Sequence, residues 1–410
     1  MAASLEANSA FRIRLQLPAS TLLGFYDFYS PPDSNPVICV YNDTLEGHIT
    51  FPEDGLCDFV IFMSIYYVQG TLGEYNAAWK EYHRTAFLAG FPSEYVDEPQ
   101  MIASQGFAEA IAQFRRTANC RGHGIFYAVS RLVELESSMP KLRLFFLALV
   151  AQMRLMAGDS FILFFGLAFV NTGGRFPADK TAEVIKGITS NVNLVIVRSD
   201  TVETGACDPK PLSVWKPVRG HPSAMASTIT HSKLILKNLA SLRRTIVAMS
   251  SNMALKVYNV VANRHIDSRS MSQGKSNKGN VSGRIACSVE TLCIAELCNL
   301  TGWEENGAGK EEPNGARYEN HTSAQNMTII RTYETQSTIV HTIKNVLKDM
   351  PKKSEAIFGW TLVDMNFEDS VGRKCPLYAE STVAFARTEA VRREIGKQHR
   401  YALRKLLEPY

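Results

Sequence analysis

Between Pro209 and Val289 the chain carries Lys210, Lys216, Arg219, Lys233, Lys237, Arg243, Arg244, Lys256, Arg264, Arg269, Lys275, Lys278 and Arg284 against one acid, Asp267. So many cations in one field suit a polyanion, because every phosphate they neutralise releases counterions and adds sequence-independent affinity. That segment's +12 in a chain of net +4 leaves −8 for the flanks, so two acidic stretches enclose a basic centre.

Other chemistries fit the residues less well. Gly274-Lys275-Ser276 has the ending of a phosphate-binding loop, but the position of that motif's first glycine is Arg269. Cys287, Cys293 and Cys298, six and five apart, rotate around a helix and do not converge on a metal. The nine histidines form no HExxH pair, and there is no GxSxG turn. Asp159 in Gly158-Asp159-Ser160 reads as a helix cap, and Arg121-Gly122-His123-Gly124 as an interhelical turn. No catalytic residue, metal or cofactor is expected, and the chain reads as a non-enzyme.

The first residues lack a basic stretch followed by an apolar core, so no secretory leader is expected. The eight cysteines contain no CxxC pair and read mostly as buried thiols, with no disulfide framework expected; the sequons at Asn42, Asn280, Asn299, Asn320 and Asn326 then read as chance. Arg154 and Asp159 divide the apolar stretch Leu142 to Val170 into runs too short for roughly 30 Å of hydrocarbon, and it reads as two core helices with no membrane span.

The elements that would position the basic centre read as mainly α. Residues 1–35 form an extended aromatic arm, 36–206 an N-terminal helical lobe, 207–375 a basic-centred C-terminal helical lobe and 376–410 a basic C-terminal helical arm. Short strands are expected at Val37 to Tyr41, His48 to Phe51 and Asn193 to Val197. Helices are expected at Asp58 to Val68, Glu74 to Ala89, Glu98 to Ala118, Ile125 to Ser137, Lys141 to Ala157, Phe161 to Phe169, Pro177 to Thr189, Ile285 to Leu300 and Thr322 to Asp349. The strongest apolar stripe, Ile235, Leu239, Leu242, Ile246, Met249, Met253, Val257 and Val260, predicts one helix from Ser227 to Ala262 with Lys233, Lys237 and Arg244 opposite its buried face.

Two helical lobes, a few short strands, a basic centre, an N-terminal arm and a basic C-terminal helix resemble the general plan of RNA-virus nucleoproteins and coat proteins. The resemblance implies a self-assembling protein of the virion and host cytoplasm that encapsidates single-stranded RNA and forms homo-oligomers through its terminal arms. Charge and helical phase select Lys233, Lys237, Arg243, Arg244, Lys256, Arg264, Arg269, Lys275, Lys278 and Arg284 as RNA contacts. An icosahedral capsid subunit, an enzyme acting on a phosphorylated or nucleic-acid substrate, and a scaffold for acidic proteins are the other readings.

Overall fold

The computed structural model describes residues 35–42, 50–63, 82–97, 109, 112, 120–129, 131–157, 161–169, 177–200, 212, 213, 215, 229–243, 245–261, 287–298, 316–322, 327–372 and 382–407. Eight parallel strands close into a barrel: β1 (Val37–Tyr41), β2 (Phe59–Phe62), β3 (Ala86–Phe91), β4 (Cys120–Val129), β5 (Ile162–Phe169), β6 (Leu194–Val197), β7 (Ile246–Asn252) and β12 (Ile357–Val363). Each pairs with the next in sequence, and β12 returns to β1 with Val37 opposite Trp360. Between β7 and β12 the chain builds a separate antiparallel sheet from β8 (Leu255–Val261), β9 (Cys287–Leu292), β10 (Arg317–Thr322) and β11 (Met327–Tyr333), in the order β10-β11-β8-β9. The helices are α1 (Leu132–Ala157), α2 (Ala178–Ile188), α3 (Ile229–Leu239), α4 (Gln336–Lys348) and α5 (Ala386–Leu407).

The fold is therefore an α/β barrel of the triosephosphate-isomerase type with an inserted sheet, and the mainly α reading is corrected. Strands such as VICVY, FVIF, ILFFGLAF and LVIV are buried along their whole length. One face of each packs inside the barrel and the other under the helices, so no polar residue alternates in to mark period two. Uniformly apolar runs of this kind cannot be told from buried helix by periodicity alone. This is why Asp58 to Val68, Glu74 to Ala89, Ile125 to Ser137 and Phe161 to Phe169 read as helices, whereas they contain β2, the start of β3, the end of β4, and β5.

The stripe from Ile235 to Val260 fails for a related reason. Helix α3 ends at Leu239, and the rest of the stripe lies on β7 and β8, which the β-branched residues of IVAMSSN and LKVYNVV favour. Likewise β9 occupies the expected helix from Ile285, and β11 precedes α4 in the segment from Thr322. Pro140 lies inside α1 rather than ending it. Leu142 to Val170 holds the second half of α1 and then β5, and among the described residues no helix is long and apolar enough to cross a membrane.

Cys39 on β1 and Cys57 just before β2 form a disulfide, and Cys287 is also disulfide-bonded, which corrects the reading for these three, while Cys120 and Cys293 are thiols. The first bridge closes a loop of sequence separation 18. Loop-closure entropy at that length makes it worth about 3 kcal/mol. Replacing both Cys39 and Cys57 by alanine is expected to lower the unfolding free energy by that amount in a urea titration. Coincident unfolding curves for variant and parent would refute it.

Candidate functional site

In a parallel barrel the strands' carboxyl ends share one face, where side chains from separate strands converge. Below that face the interior is filled by Ile38, Val40, Phe59, Ile61, Leu88, Phe164, Ile196 and Ala248. Towards the mouth, among the described residues, the lining differs between the β4–β5 side and the β6–β7–β12 side.

On the β4–β5 side it is small and apolar. Phe126 packs with the inner cluster, its ring centroid 5.6 Å from that of Phe164. It is held over Gly166, where a Cβ would lie 2.2 Å from Phe126 Cδ1. The ring is half-buried, and Ala128, two residues on and so on the same face of the strand, is exposed. The longest barrel strand thus ends in an apolar notch formed by Phe126 and Ala128.

On the β6–β7–β12 side the lining is polar. Asp200, just past β6, is fully buried and accepts hydrogen bonds from Arg198 Nε at 3.1 Å, Ser250 Oγ at 2.7 Å and Asn252 Nδ2 at 3.2 Å. Asn252 Nδ2 also donates to Asp364 Oδ2 at 2.8 Å, and Asn42 Nδ2 reaches Asp364 Oδ1 at 3.4 Å. One asparagine therefore bridges the carboxylates at the ends of β6 and β12. Asp364 itself sits in the left-handed region at φ 59, a conformation uncommon outside glycine and frequent at functional turns.

Electrostatics separates the acids. Burial alone would raise the Asp200 carboxyl, but Arg198 and the hydrogen bonds from Ser250 and Asn252 hold it below the usual carboxylate range, and Asp200 in turn raises Arg198. Glu334, where β11 leads into α4, behaves oppositely: burial, reinforced by the charge of Asp200, pushes it up to about 7 against hydrogen bonds from Ser213 and the Asn252 backbone. Those bonds are Ser213 Oγ to Oε1 at 2.5 Å and Asn252 N to Oε2 at 2.9 Å.

Arg387 on α5 fixes this junction. Its fully buried guanidinium donates from Nε to Glu368 Oε2 at 2.9 Å, from Nη1 to the Glu334 carbonyl at 2.7 Å and from Nη2 to the Met253 carbonyl at 2.7 Å. Met253 and Glu334 are the points where the chain leaves the barrel for the inserted sheet and returns from it.

Few of the residues selected by charge lie near this mouth. Lys233 on α3 pairs with Asp349 and stands 5.5 Å from the Trp215 ring centroid; Lys237 is in the last turn of α3. Arg243 pairs with Glu355, and Lys256 on β8 donates to Thr291 Oγ1 at 2.7 Å. Arg244, Arg264, Arg269, Lys275, Lys278 and Arg284 lie outside the described residues. Arg121-Gly122-His123-Gly124 is not a turn but part of β4, and Tyr258 is buried on β8. Asp200, Asn252, Asp364 and Phe126 went unread, although LVIV-RSD and WTLV-D each show a short apolar run ending abruptly in an acid.

The sequence matches no known family and no curated protein. Solved structures do match. The fold is chitinase-like. Human YKL-39, described as a pseudo-chitinase with retained chitooligosaccharide binding properties, aligns with a TM-score of 0.56 at 13% identity over 88% of this chain and 100% of its own. The Ostrinia furnacalis Group IV chitinase in complex with allosamidin gives 0.55 at 10% over 89% and 99%. An immunomodulatory active chitinase from Trichuris suis gives 0.54 at 8% over 88% and 99%.

At these identities the likeness establishes the fold, and it is enough to overturn the nucleoprotein and coat-protein resemblance. The described residues form a closed barrel with an inserted sheet instead of two helical lobes, and the reading of the chain as an RNA-encapsidating subunit falls with that plan. The non-enzyme reading is corrected too, since a chitinase-like barrel carries active enzymes.

Proposed function

We propose that this chain binds oligosaccharides of β-linked N-acetylglucosamine at the carboxyl-end mouth of its barrel. The observation that carries the proposal is the contrast at the mouth between an apolar notch, Phe126 beside exposed Ala128, and a polar wall in which Asp364 is backed by the buried Asn252 and Asp200. A pyranose has the same division: its C–H face suits an aromatic ring and its hydroxyl and amide edges need donors and acceptors. Support also comes from YKL-39, whose barrel is similar and which binds chitooligosaccharides. The disulfides at Cys39–Cys57 and at Cys287 favour an oxidising compartment as its place of work.

Isothermal titration with N-acetylglucosamine tetramer tests the proposal. Saturable binding is expected, weakened about tenfold by Phe126→Ala through loss of the stacking surface. Ala128→Trp, which fills the notch, is expected to abolish binding while leaving the melting temperature within a few degrees of the parent's. No saturation at millimolar sugar, or full affinity in Ala128→Trp, would sink the idea. Bond cleavage would further require an acid at the glycosidic oxygen. Among the described residues β4 ends without a carboxylate, and those at the mouth are Asp200 and Asp364. Mass spectrometry of the sugar after the titration reads whether cleavage accompanies binding, with Asp364→Asn as the variant that removes one of the two acids.

A further inference from the structure

We infer that Glu334 is a positioning residue that makes sugar binding at the mouth pH-dependent, acting through Asn252; this rests on the proposed sugar site. The geometry is specific. Glu334 reaches from the end of β11 into the base of the polar wall, where its Oε2 accepts the backbone N–H of Asn252. The side chain of that same asparagine bridges Asp200 and Asp364. The Glu334 carbonyl is held by Arg387, so the segment cannot easily swing its carboxyl out to water.

Among the described residues the charged groups around Glu334 come from three elements. Arg198 and Asp200 follow β6, Asp364 and Glu368 follow β12, Arg387 lies on α5, and Glu334 itself ends β11. Both cations already have carboxylate partners, Arg198 with Asp200 and Arg387 with Glu368. Among the described residues an ionised Glu334 therefore adds a negative charge beside Asp200 with no cation of its own. When protonated, its Oε1–H donates to Ser213 Oγ as that hydroxyl turns, while Oε2 keeps its bond from Asn252 N–H. Both contacts survive protonation and the repulsion is relieved, in keeping with a carboxyl raised to about 7.

The sign follows from linkage. The folded protein holds the Glu334 proton to higher pH than the unfolded chain does, so this group's contribution to stability is complete below about 4.5 and is lost as pH rises to about 7. Above that pH repulsion bears on Asp200 and loosens the asparagine bridge that shapes the wall.

The test is the affinity for N-acetylglucosamine tetramer across pH 5.5 to 8.5, for the parent protein and Glu334→Gln. Glutamine keeps both hydrogen bonds but cannot ionise. The parent's Kd is expected to rise about fivefold between pH 6 and pH 8, with a midpoint near 7, while Glu334→Gln stays flat at the low-pH affinity. Thermal melts read the same group without sugar: the parent is expected to lose stability between about pH 4.5 and 7 and Glu334→Gln to lose none of that increment. A flat parent profile, or a step retained in Glu334→Gln, would overturn the inference and leave the sugar site standing. No binding at any pH removes the site, and the inference with it.

Discussion

Arg387→Ala is expected to lower the unfolding free energy by about 3–5 kcal/mol, measured by denaturant titration of the purified variant. The reason lies in what the alanine leaves behind. Glu368 is a fully buried carboxylate whose charge is met by this guanidinium, and burial already pushes its carboxyl up against the opposing pull of Arg387. Without the arginine the acid either keeps an uncompensated charge in the interior or takes up a proton, and both routes cost free energy. The carbonyls of Met253 and Glu334 each lose a donor as well. Lysine has one donor centre on a flexible stem and cannot span three acceptors on separate elements, so Arg387→Lys is expected to recover less than half the loss. A destabilisation below about 1 kcal/mol would mean that water replaces the guanidinium and that the junction is not dry. The exposed pair Arg243–Glu355 is the control, since its removal is expected to change stability by less than about 1 kcal/mol.

The contrast between these two arginines shows what the sequence could convey. Both fall in basic stretches, and nothing in local charge says that Arg387 is buried on an acid nineteen residues earlier while Arg243 lies on the surface. Elements whose signal is local were legible: β1, β6, α2 and the C-terminal helix all stand where periodicity and composition put them. The other barrel strands were not. A parallel strand's polar partners are the backbones of neighbours far along the chain, and its two apolar faces are each covered by something the strand does not encode. The candidate site was illegible for the same reason. Asp200, Asn252 and Asp364 are separated by at least fifty residues from one another and become a set only because β6, β7 and β12 are adjacent in the closed barrel. A count of charge across one contiguous segment cannot detect a cluster built this way. The basic centre it did detect spans α3, β7 and β8, a helix, a barrel strand and a strand of the inserted sheet.

Adjacency of β4 and β5 sets a second large effect, Gly124→Val, which is expected to cost more than about 4 kcal/mol and to yield little folded protein. Gly124 pairs in register with Phe164, and a Cβ at this position would stand 2.0 Å from the Phe164 carbonyl oxygen and 2.6 Å from its Cγ. The oxygen belongs to the backbone of a strand paired with β4 from Gly122 to Val129, so it cannot retreat without separating the strands that form the floor of the mouth. Gly166→Ala supplies the comparison. Its Cβ would lie 2.2 Å from Phe126 Cδ1, a ring atom of a half-buried side chain at an open mouth rather than backbone. The ring can turn outward, so the stability cost is expected to be about 1 kcal/mol. The sugar affinity should nevertheless fall, because the displaced ring is the proposed stacking surface. Thermal melts and the tetramer titration on the two variants separate the effects. A Gly124→Val protein that melts with its parent would contradict the close packing of β4 on β5, and a Gly166→Ala protein with unchanged affinity would remove Phe126 from the binding surface.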